Sequence, residues 1–250
     1  MTGIDNQTAR TAVVTGASSG IGEATARALA AAGFQVVLGA RRLEPCERIA
    51  AEIGGTALFL DITSDESVTR FADSLDSVAV LVNNAGGARG MAAVGDGEVE
   101  DWRWMWETNV LGTLRVTKAL IPKLLADGDG MVITVTSTAA LEVYPGGAGY
   151  TSAKHAERAL HRMLEAELAD TQLRFTEISP GIVHSDFSTN RFHGDAERAA
   201  AVYAGMTPLT AEDVADVIAF AATGPRNVSI EHVVIRPRAQ ADSVTVFRED

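Results

Sequence analysis

Thr15-Gly16-Ala17-Ser18-Ser19-Gly20-Ile21-Gly22 decides the fold. It follows a short apolar run, Ala12–Thr15, and opens a helical pattern over Glu23–Ala32. Glycines at such a turn let the backbone approach a diphosphate closely. The helix behind it offers free N–H groups and the positive end of its dipole. A glycine-rich turn alone is weak evidence; placed between the strand and helix of a βαβ unit, it reads as a nucleotide-binding loop. The spacing is Gly-x-x-x-Gly-x-Gly rather than Gly-x-Gly-x-x-Gly.

The same alternation continues on either side. Apolar runs at Gln35–Gly39, Ala57–Leu60, Val78–Val82, Met131–Thr136, Arg174–Ile178 and His232–Ile235 read as strands. Helical patterns fall at Pro45–Ile53, Asp65–Leu75, Trp102–Leu125, Tyr150–Ala169 and Ala211–Ala222. Apolar strands alternating with helices predict a doubly wound, Rossmann-type α/β fold: seven parallel strands with helices on both faces. Gly33 suits the end of the first helix, and Thr63, Asp65 and Glu66 suit the start of another. Thr210 and Asp213 are spaced for a capping box. We expect one domain over residues 1–250, with a polar, helical insertion at about 186–208 lying over the sheet edge as a lid.

Composition narrows the function classes. The 250 residues carry a net charge of −12, which disfavours nucleic acid and anionic membranes as partners. No apolar stretch is long enough to span a bilayer, and Met1 to Arg10 lack the apolar core of a signal peptide. The single cysteine, Cys46, cannot form an internal disulfide, so a cytoplasmic location is expected. Arg42 and Arg48 stand near Cys46 and would favour its thiolate; the plainer reading is a helix-start cysteine without chemistry.

An anionic cofactor on so acidic a protein needs local positive charge, and the second strand ends in Ala40-Arg41-Arg42. A dinucleotide fold selective for NAD wants a carboxylate near this point. Ala40 offers none, whereas Arg41 and Arg42 suit a 2′-phosphate. The expected cofactor is NADP(H).

Tyr150 and Lys154 lie one helical turn apart on one face. A free tyrosine, with a pKa of about 10, is a poor base near neutrality, and a neighbouring ammonium favours its phenolate. The pair suits proton transfer at an oxygen whose carbon exchanges a hydride. Ser137 ends the fifth strand thirteen residues earlier, with Thr136 and Thr138 as neighbouring hydroxyls.

Together these motifs resemble the short-chain dehydrogenase/reductase family over nearly the whole chain. The resemblance selects Ser137, which would hydrogen-bond the substrate oxygen. It implies that Asn109, in Thr108-Asn109-Val110, holds a water of the proton relay. It also implies a cofactor site. Gly16, Ser18, Ser19, Gly20, Ile21 and Gly22 would form the phosphate loop, Asp61 would meet the adenine amino group, and Ile62 would pack on the base. Asn83, Ala85 and Gly86, in Asn83-Asn84-Ala85-Gly86, would line the adenosine channel. Pro180, Gly181 and Val183 would pass the carboxamide, with Ser185 where the family often has Thr. Lys154 would also hold the nicotinamide ribose.

The C-terminal part looks like the subgroup of NADP-dependent 3-hydroxy acid (serine-type) dehydrogenases, through Asp186-Phe187-Ser188, Arg191-Phe192-His193-Gly194-Asp195, Tyr203 and Ile235-Arg236-Pro237-Arg238-Ala239-Gln240. Arg191 is either a carboxylate anchor or a lid-surface arginine. His184 and His193 lack ligand-spaced partners and read as structural, and no metal is expected. Trp102, Trp104 and Trp106 read as packing residues. The resemblance implies a homotetramer built on their helix and the Tyr150 helix. Two alternatives stay open: a reductase of bulkier ketoacyl, steroid or xenobiotic carbonyls, and a nucleotide-sensing protein without turnover.

Overall fold

The computed structural model describes residues 10–249. The reading of the N-terminus therefore lies, except for Arg10, outside the described residues. Seven strands form one parallel sheet: β1 (Thr11–Thr15), β2 (Gln35–Ala40), β3 (Thr56–Phe59), β4 (Val80–Asn83), β5 (Met131–Val135), β6 (Arg174–Pro180) and β7 (His232–Ile235). Their order is β3-β2-β1-β4-β5-β6-β7. The direction of winding reverses between β1 and β4, and the carboxyl edge at such a point is where open α/β sheets bind ligands.

Both faces of the sheet are covered, as the unbroken apolar strands require. On one face Val14, Leu38, Val82 and Ile133 pack with Leu29 of α1 (Gly20–Ala31) and Ile218 of α9 (Ala211–Ala222). On the other, Val13, Leu81 and Val132 meet Phe71 of α3 (Asp65–Asp73) and Leu120 of α5 (Thr113–Asp127). The remaining helices are α2 (Leu43–Ile53), α4 (Val99–Trp106), α6 (Ala148–Glu167), α7 (Phe187–Arg191) and α8 (Ala196–Ala201).

Element types follow the sequence, and several boundaries differ for local reasons. The helix expected to run unbroken over Trp102–Leu125 begins earlier, at Val99, and continues through a π-helical turn, Glu107–Gly112, into α5. Helical hydropathy cannot register the extra residue of a π turn. α3 is capped by the Ser64 hydroxyl, which accepts from Ser67 N, rather than by Thr63. The Thr210–Asp213 capping box forms in both directions. Gly33 follows α1 with φ +93°, its N–H reaching Ala30 O. The polar insertion folds as α7 and α8, joined by a tight turn with His193 at φ 53° and Gly194 at φ 91°.

Cys46 is fully buried. Burial pushes its thiol up, outweighing the opposing effect of Arg42, and Cys46 packs in the core, in line with the plainer of its two readings. Among the described residues no helix is long and apolar enough to cross a membrane. Nor does any group of three His, Cys, Asp or Glu side chains come together to hold a metal ion.

Candidate active site

The phosphate loop leaves β1 with Gly16 at φ +66° and enters α1 through Gly20 at φ +56°, conformations that favour glycine. A Cβ on Gly22 would collide with the Gly16 carbonyl, so the first turn of α1 lies tight against the loop. Asn84 fixes the loop from β4: its Nδ2 donates to Thr15 O at 2.9 Å, and its N–H donates to Thr15 Oγ1 at 3.0 Å. The Ala85 N–H reaches the same hydroxyl at 2.9 Å. Asn83 turns the other way, buried against Thr117 of α5 at 2.8 Å. Asn83, expected to line the adenosine channel, is thereby corrected to a residue that braces the sheet, and Asn84 is the one that grips the loop.

Arg42 extends from the end of β2 over the loop. Its Nη2 donates to Ser19 Oγ at 2.7 Å and to Ser18 Oγ at 3.1 Å. Arg41 is exposed beside Asp61. The Asp61 carboxylate accepts from Thr63 N–H and Oγ1. Burial resists its charge, but these bonds and Arg41 hold it below the usual carboxylate range. Ile62 packs against Gly112, where a Cβ would strike its side chain. Ser185 approaches the loop from beyond β6, its Cβ 3.5 Å from where a Gly20 side chain would begin.

Tyr150 and Lys154 project from one face of α6, and both are buried. The Lys154 ammonium lies 5.9 Å from the Tyr150 ring centroid. It donates to Val135 O at 3.2 Å and to Glu157 Oε2 at 2.6 Å. Burial pushes the Tyr150 phenol up, opposed first by the Lys154 charge and also by the Ser137 hydroxyl. Burial penalises the Lys154 charge, yet Glu157 and then Tyr150 more than offset this and hold it above its ordinary value. Ser137, just past β5, accepts from Ala139 N–H at 3.1 Å. Thr136 turns inward to Glu177 at 2.8 Å, and Thr138 is buried, so among these three hydroxyls Ser137 is the one that meets Tyr150.

Asn109 sits in the π turn, fully buried. Its Nδ2 donates to Met105 O and Gly87 O, and its Oδ1 accepts from Gly87 N–H. Both amide donors are therefore spent on holding the Gly87 backbone against the helix, so the relay water expected at Asn109 would have to meet an acceptor oxygen of this residue and not its side-chain N–H. Gly86 abuts this amide, and a Cβ there would lie 3.7 Å from Lys154 Nζ. After β6, Ile182 N–H donates to Gln240 Oε1 at 2.8 Å, and the Val183 carbonyl accepts from Tyr203 Oη at 3.3 Å. His184 packs against Tyr203, with ring centroids 4.7 Å apart and the planes tilted by 57°.

Arg191 is not on the surface. It is buried in α7, donating through Nε to Gly90 O at 2.9 Å and through Nη1 to the Tyr144 hydroxyl at 3.0 Å. Its Nη2 is buried without a partner, and its Cζ lies 5.8 Å from the Tyr150 ring centroid. Arg191, Tyr150, Arg89, Trp102, Met105 and Gly149 line one pocket. Arg89 and Tyr144 went unnoticed in the sequence because they belong to loops without a periodic pattern. Trp102 packs under Gly149, and Trp104 lies beneath Arg89 at 4.1 Å.

Residues 10–196 match the short chain dehydrogenase family, and the chain belongs to it. It is 62% identical over 234 residues to an uncharacterized oxidoreductase of Mycobacterium tuberculosis, covering 94% of this chain and 93% of that one. An NADP-dependent 3-hydroxy acid dehydrogenase of Schizosaccharomyces pombe is 38% identical, with 96% and 97% covered. Among solved structures, the closed form of a serine dehydrogenase complexed with NADP+ superposes with a TM-score of 0.90 at 32% identity, covering 96% of this chain and all of that one.

Proposed function

We propose that this short-chain dehydrogenase/reductase uses NADP(H) to interconvert a small 3-hydroxy acid and its carbonyl counterpart. The observation that carries this reading is the position of Tyr150, with the Lys154 ammonium 5.9 Å and the Arg191 guanidinium 5.8 Å from its ring centroid, the latter with Nη2 left without a partner. One cation acts on the phenol. The other offers the free Nη2 N–H to an anionic substrate group, a charge-assisted hydrogen bond that a carboxylate would accept. The S. pombe and serine dehydrogenase relatives support the same substrate class.

The residues present fit the cofactor. At Gly16 and Gly22 the cradle leaves no room for a Cβ, and Arg42 and Arg41 stand where buried Ala40 leaves no competing carboxylate. Gly16, Ser18, Ser19, Gly20, Ile21 and Gly22 would hold the diphosphate. Arg41 and Arg42 would hold the 2′-phosphate, and Asp61, Ile62, Ala85 and Gly86 the adenosine. Pro180, Gly181, Val183 and Ser185 would face the carboxamide. When bound, the nicotinamide supplies the hydride donor or acceptor.

The protein's own groups manage the proton. In reduction, Tyr150 Oη gives its proton to the carbonyl oxygen while Ser137 Oγ hydrogen-bonds that oxygen. In oxidation Tyr150 receives the proton. Lys154 stabilises the phenolate, and Asn109, with its side chain committed to Gly87 and Met105, fixes the π turn behind the relay. The lid helices α7 and α8 shield the site from water and bring Arg191 to it. We further infer one domain with this lid, assembled as a homotetramer. Exposed Trp106 on α4 and Met163 on α6 would be covered by a second copy.

The deciding experiment follows reduced-nicotinamide absorbance while NADP or NAD is offered with L-serine, 3-hydroxypropionate, 3-hydroxyisobutyrate and neutral secondary alcohols. Turnover with NADP on the hydroxy acids is expected. Turnover on neutral alcohols alone would overturn the substrate class, and faster turnover with NAD would overturn the cofactor assignment. Sedimentation velocity at micromolar concentration checks the tetramer.

A further inference from the structure

Glu157 stands three residues after Lys154 on α6 and is 1% exposed. A carboxylate is seldom buried so completely without a purpose, because its desolvation costs several kcal/mol unless it is paired. Oε2 accepts from Lys154 Nζ at 2.6 Å, and Oε1 accepts from Thr113 Oγ1 at 3.1 Å. Thr113 begins α5, directly after the π turn that carries Asn109. An ammonium only donates, so Oε2 carries no proton in this arrangement. Lys154 spends a second N–H on Val135 O, which leaves one for a ligand.

We propose that Glu157 is a positioning residue of the active site: its buried carboxylate holds the Lys154 ammonium, ties it through Thr113 to the helix bearing Asn109, and shares its charge with Tyr150, so that the tyrosine keeps its proton. This rests on the reading of Tyr150 as the acid/base. A lysine alone beside a tyrosine makes a neutral pair when the phenol ionises. With Glu157 present, the same ionisation leaves a net negative charge in a buried site. Proton loss from the cluster is therefore harder, and the phenol stays a donor to higher pH, the form needed for carbonyl reduction.

Other charged or titratable groups also face the cluster. Glu177 of β6 reinforces the effect of Glu157. Tyr144 and Arg191 face the phenol from the preceding loop and from the lid. Arg158 is already committed to Glu177 at 3.0 Å, and His232 lies 3.9 Å from that carboxylate. Buried His161 bonds Thr134 on the same side of the sheet. Among the described residues, Glu157 is the charged group that bonds Lys154 directly.

The test is the pH profile of kcat/KM for alcohol oxidation in Glu157→Gln and Glu157→Asp, at saturating cofactor. Removing a negative charge lowers the proton affinity of every remaining group in a coupled cluster, whichever of Lys154 and Tyr150 releases the proton. The acidic limb in Glu157→Gln should move down by about one pH unit. Glu157→Asp, which keeps the charge, should retain the wild-type limb. Thr113→Val keeps the charge but removes a hydrogen-bond donor that stabilises the carboxylate, so it should move the limb the opposite way, up and by less, and serves if Glu157→Gln does not fold. A uniform loss of rate at every pH with an unmoved limb would reduce Glu157 to a structural residue and overturn the proposal. An active Tyr150→Phe variant would instead overturn the acid/base reading, so the two failures are distinguishable.

Discussion

The Arg42 guanidinium bridges the Ser18 and Ser19 hydroxyls, with Nη2 2.7 Å from Ser19 Oγ. The end of β2 is thereby tied to the phosphate loop by a cation whose hydroxyl partners carry no charge. A phosphate arriving there would displace neutral acceptors and break no ion pair. Arg42→Ala should raise the Kd for NADP about 10- to 100-fold, the loss of one or two charge-assisted hydrogen bonds. The Kd for NAD should change less than threefold, roughly the scale of an exposed contact. Fluorescence titration of the reduced cofactors reads both. Equal losses for the two would place Arg42 on the shared diphosphate.

Gly22 tests the cradle from the other side. A methyl group there meets the Gly16 carbonyl, which is backbone, and the Asn84 amide, which its hydrogen bond to Thr15 O holds in place. Gly22→Ala must push Gly16 out of its positive-φ turn or pull α1 away from β1. We expect loss of dinucleotide binding with a destabilisation of about 1–3 kcal/mol, the usual cost of overpacking. Isothermal titration and thermal unfolding read the two effects. Gly33→Ala is the control: no atom lies within 4 Å of its Cβ, so any cost comes from its φ of +93° alone and should leave cofactor affinity unchanged.

These sites differ in how plainly the sequence revealed them. The phosphate loop, the Tyr150–Lys154 pair and the Thr210–Asp213 cap are set by spacings within one element, which a linear pattern preserves. The π turn at Glu107–Gly112 is a departure from regular geometry that leaves hydropathy unchanged. Asn84 and Asn83 are adjacent in sequence but point to opposite sides of the sheet, as alternation along a strand dictates. Only the three-dimensional placement of Thr15 and Thr117 shows which of them serves the loop. Arg191 offered two readings because its partners, Gly90 and Tyr144, are 101 and 47 residues away in sequence.

Arg191 carries the substrate prediction. Its Nη2 lacks a partner in a pocket shared with Tyr150, an orphaned donor that a carboxylate would satisfy. Arg191→Gln should raise KM for 3-hydroxy acids about 10- to 100-fold, the scale of a lost charged hydrogen bond. KM for neutral alcohols should stay within about twofold, because those substrates bring no anion to pair. Arg191→Lys keeps the charge and loses the planar fork, so it should fall between the two. Parallel losses for acidic and neutral substrates would mean that Arg191 serves only to hold Gly90 and Tyr144.

His161 sets the acid stability of the fold. It is 2% exposed on α6, its Nδ1 bonded to Thr134 Oγ1 at 2.9 Å and its ring edge-on to Phe175. Burial lowers its pKa from 6.5 to about 4, with Glu177 opposing. The unfolded chain therefore binds a proton that the folded chain refuses across this range. The stability this histidine contributes is complete above pH 6.5 and is lost as pH falls from there to about 4. The shift corresponds to about 3 kcal/mol over the window. Urea unfolding midpoints should fall steadily across it in the wild type. In His161→Phe this part of the slope should vanish, because the replacement ring has nothing to titrate, and the variant should gain on the wild type as acid is added. If the two midpoints ran parallel from pH 7 to 4, the acid sensitivity would belong to the carboxylates instead.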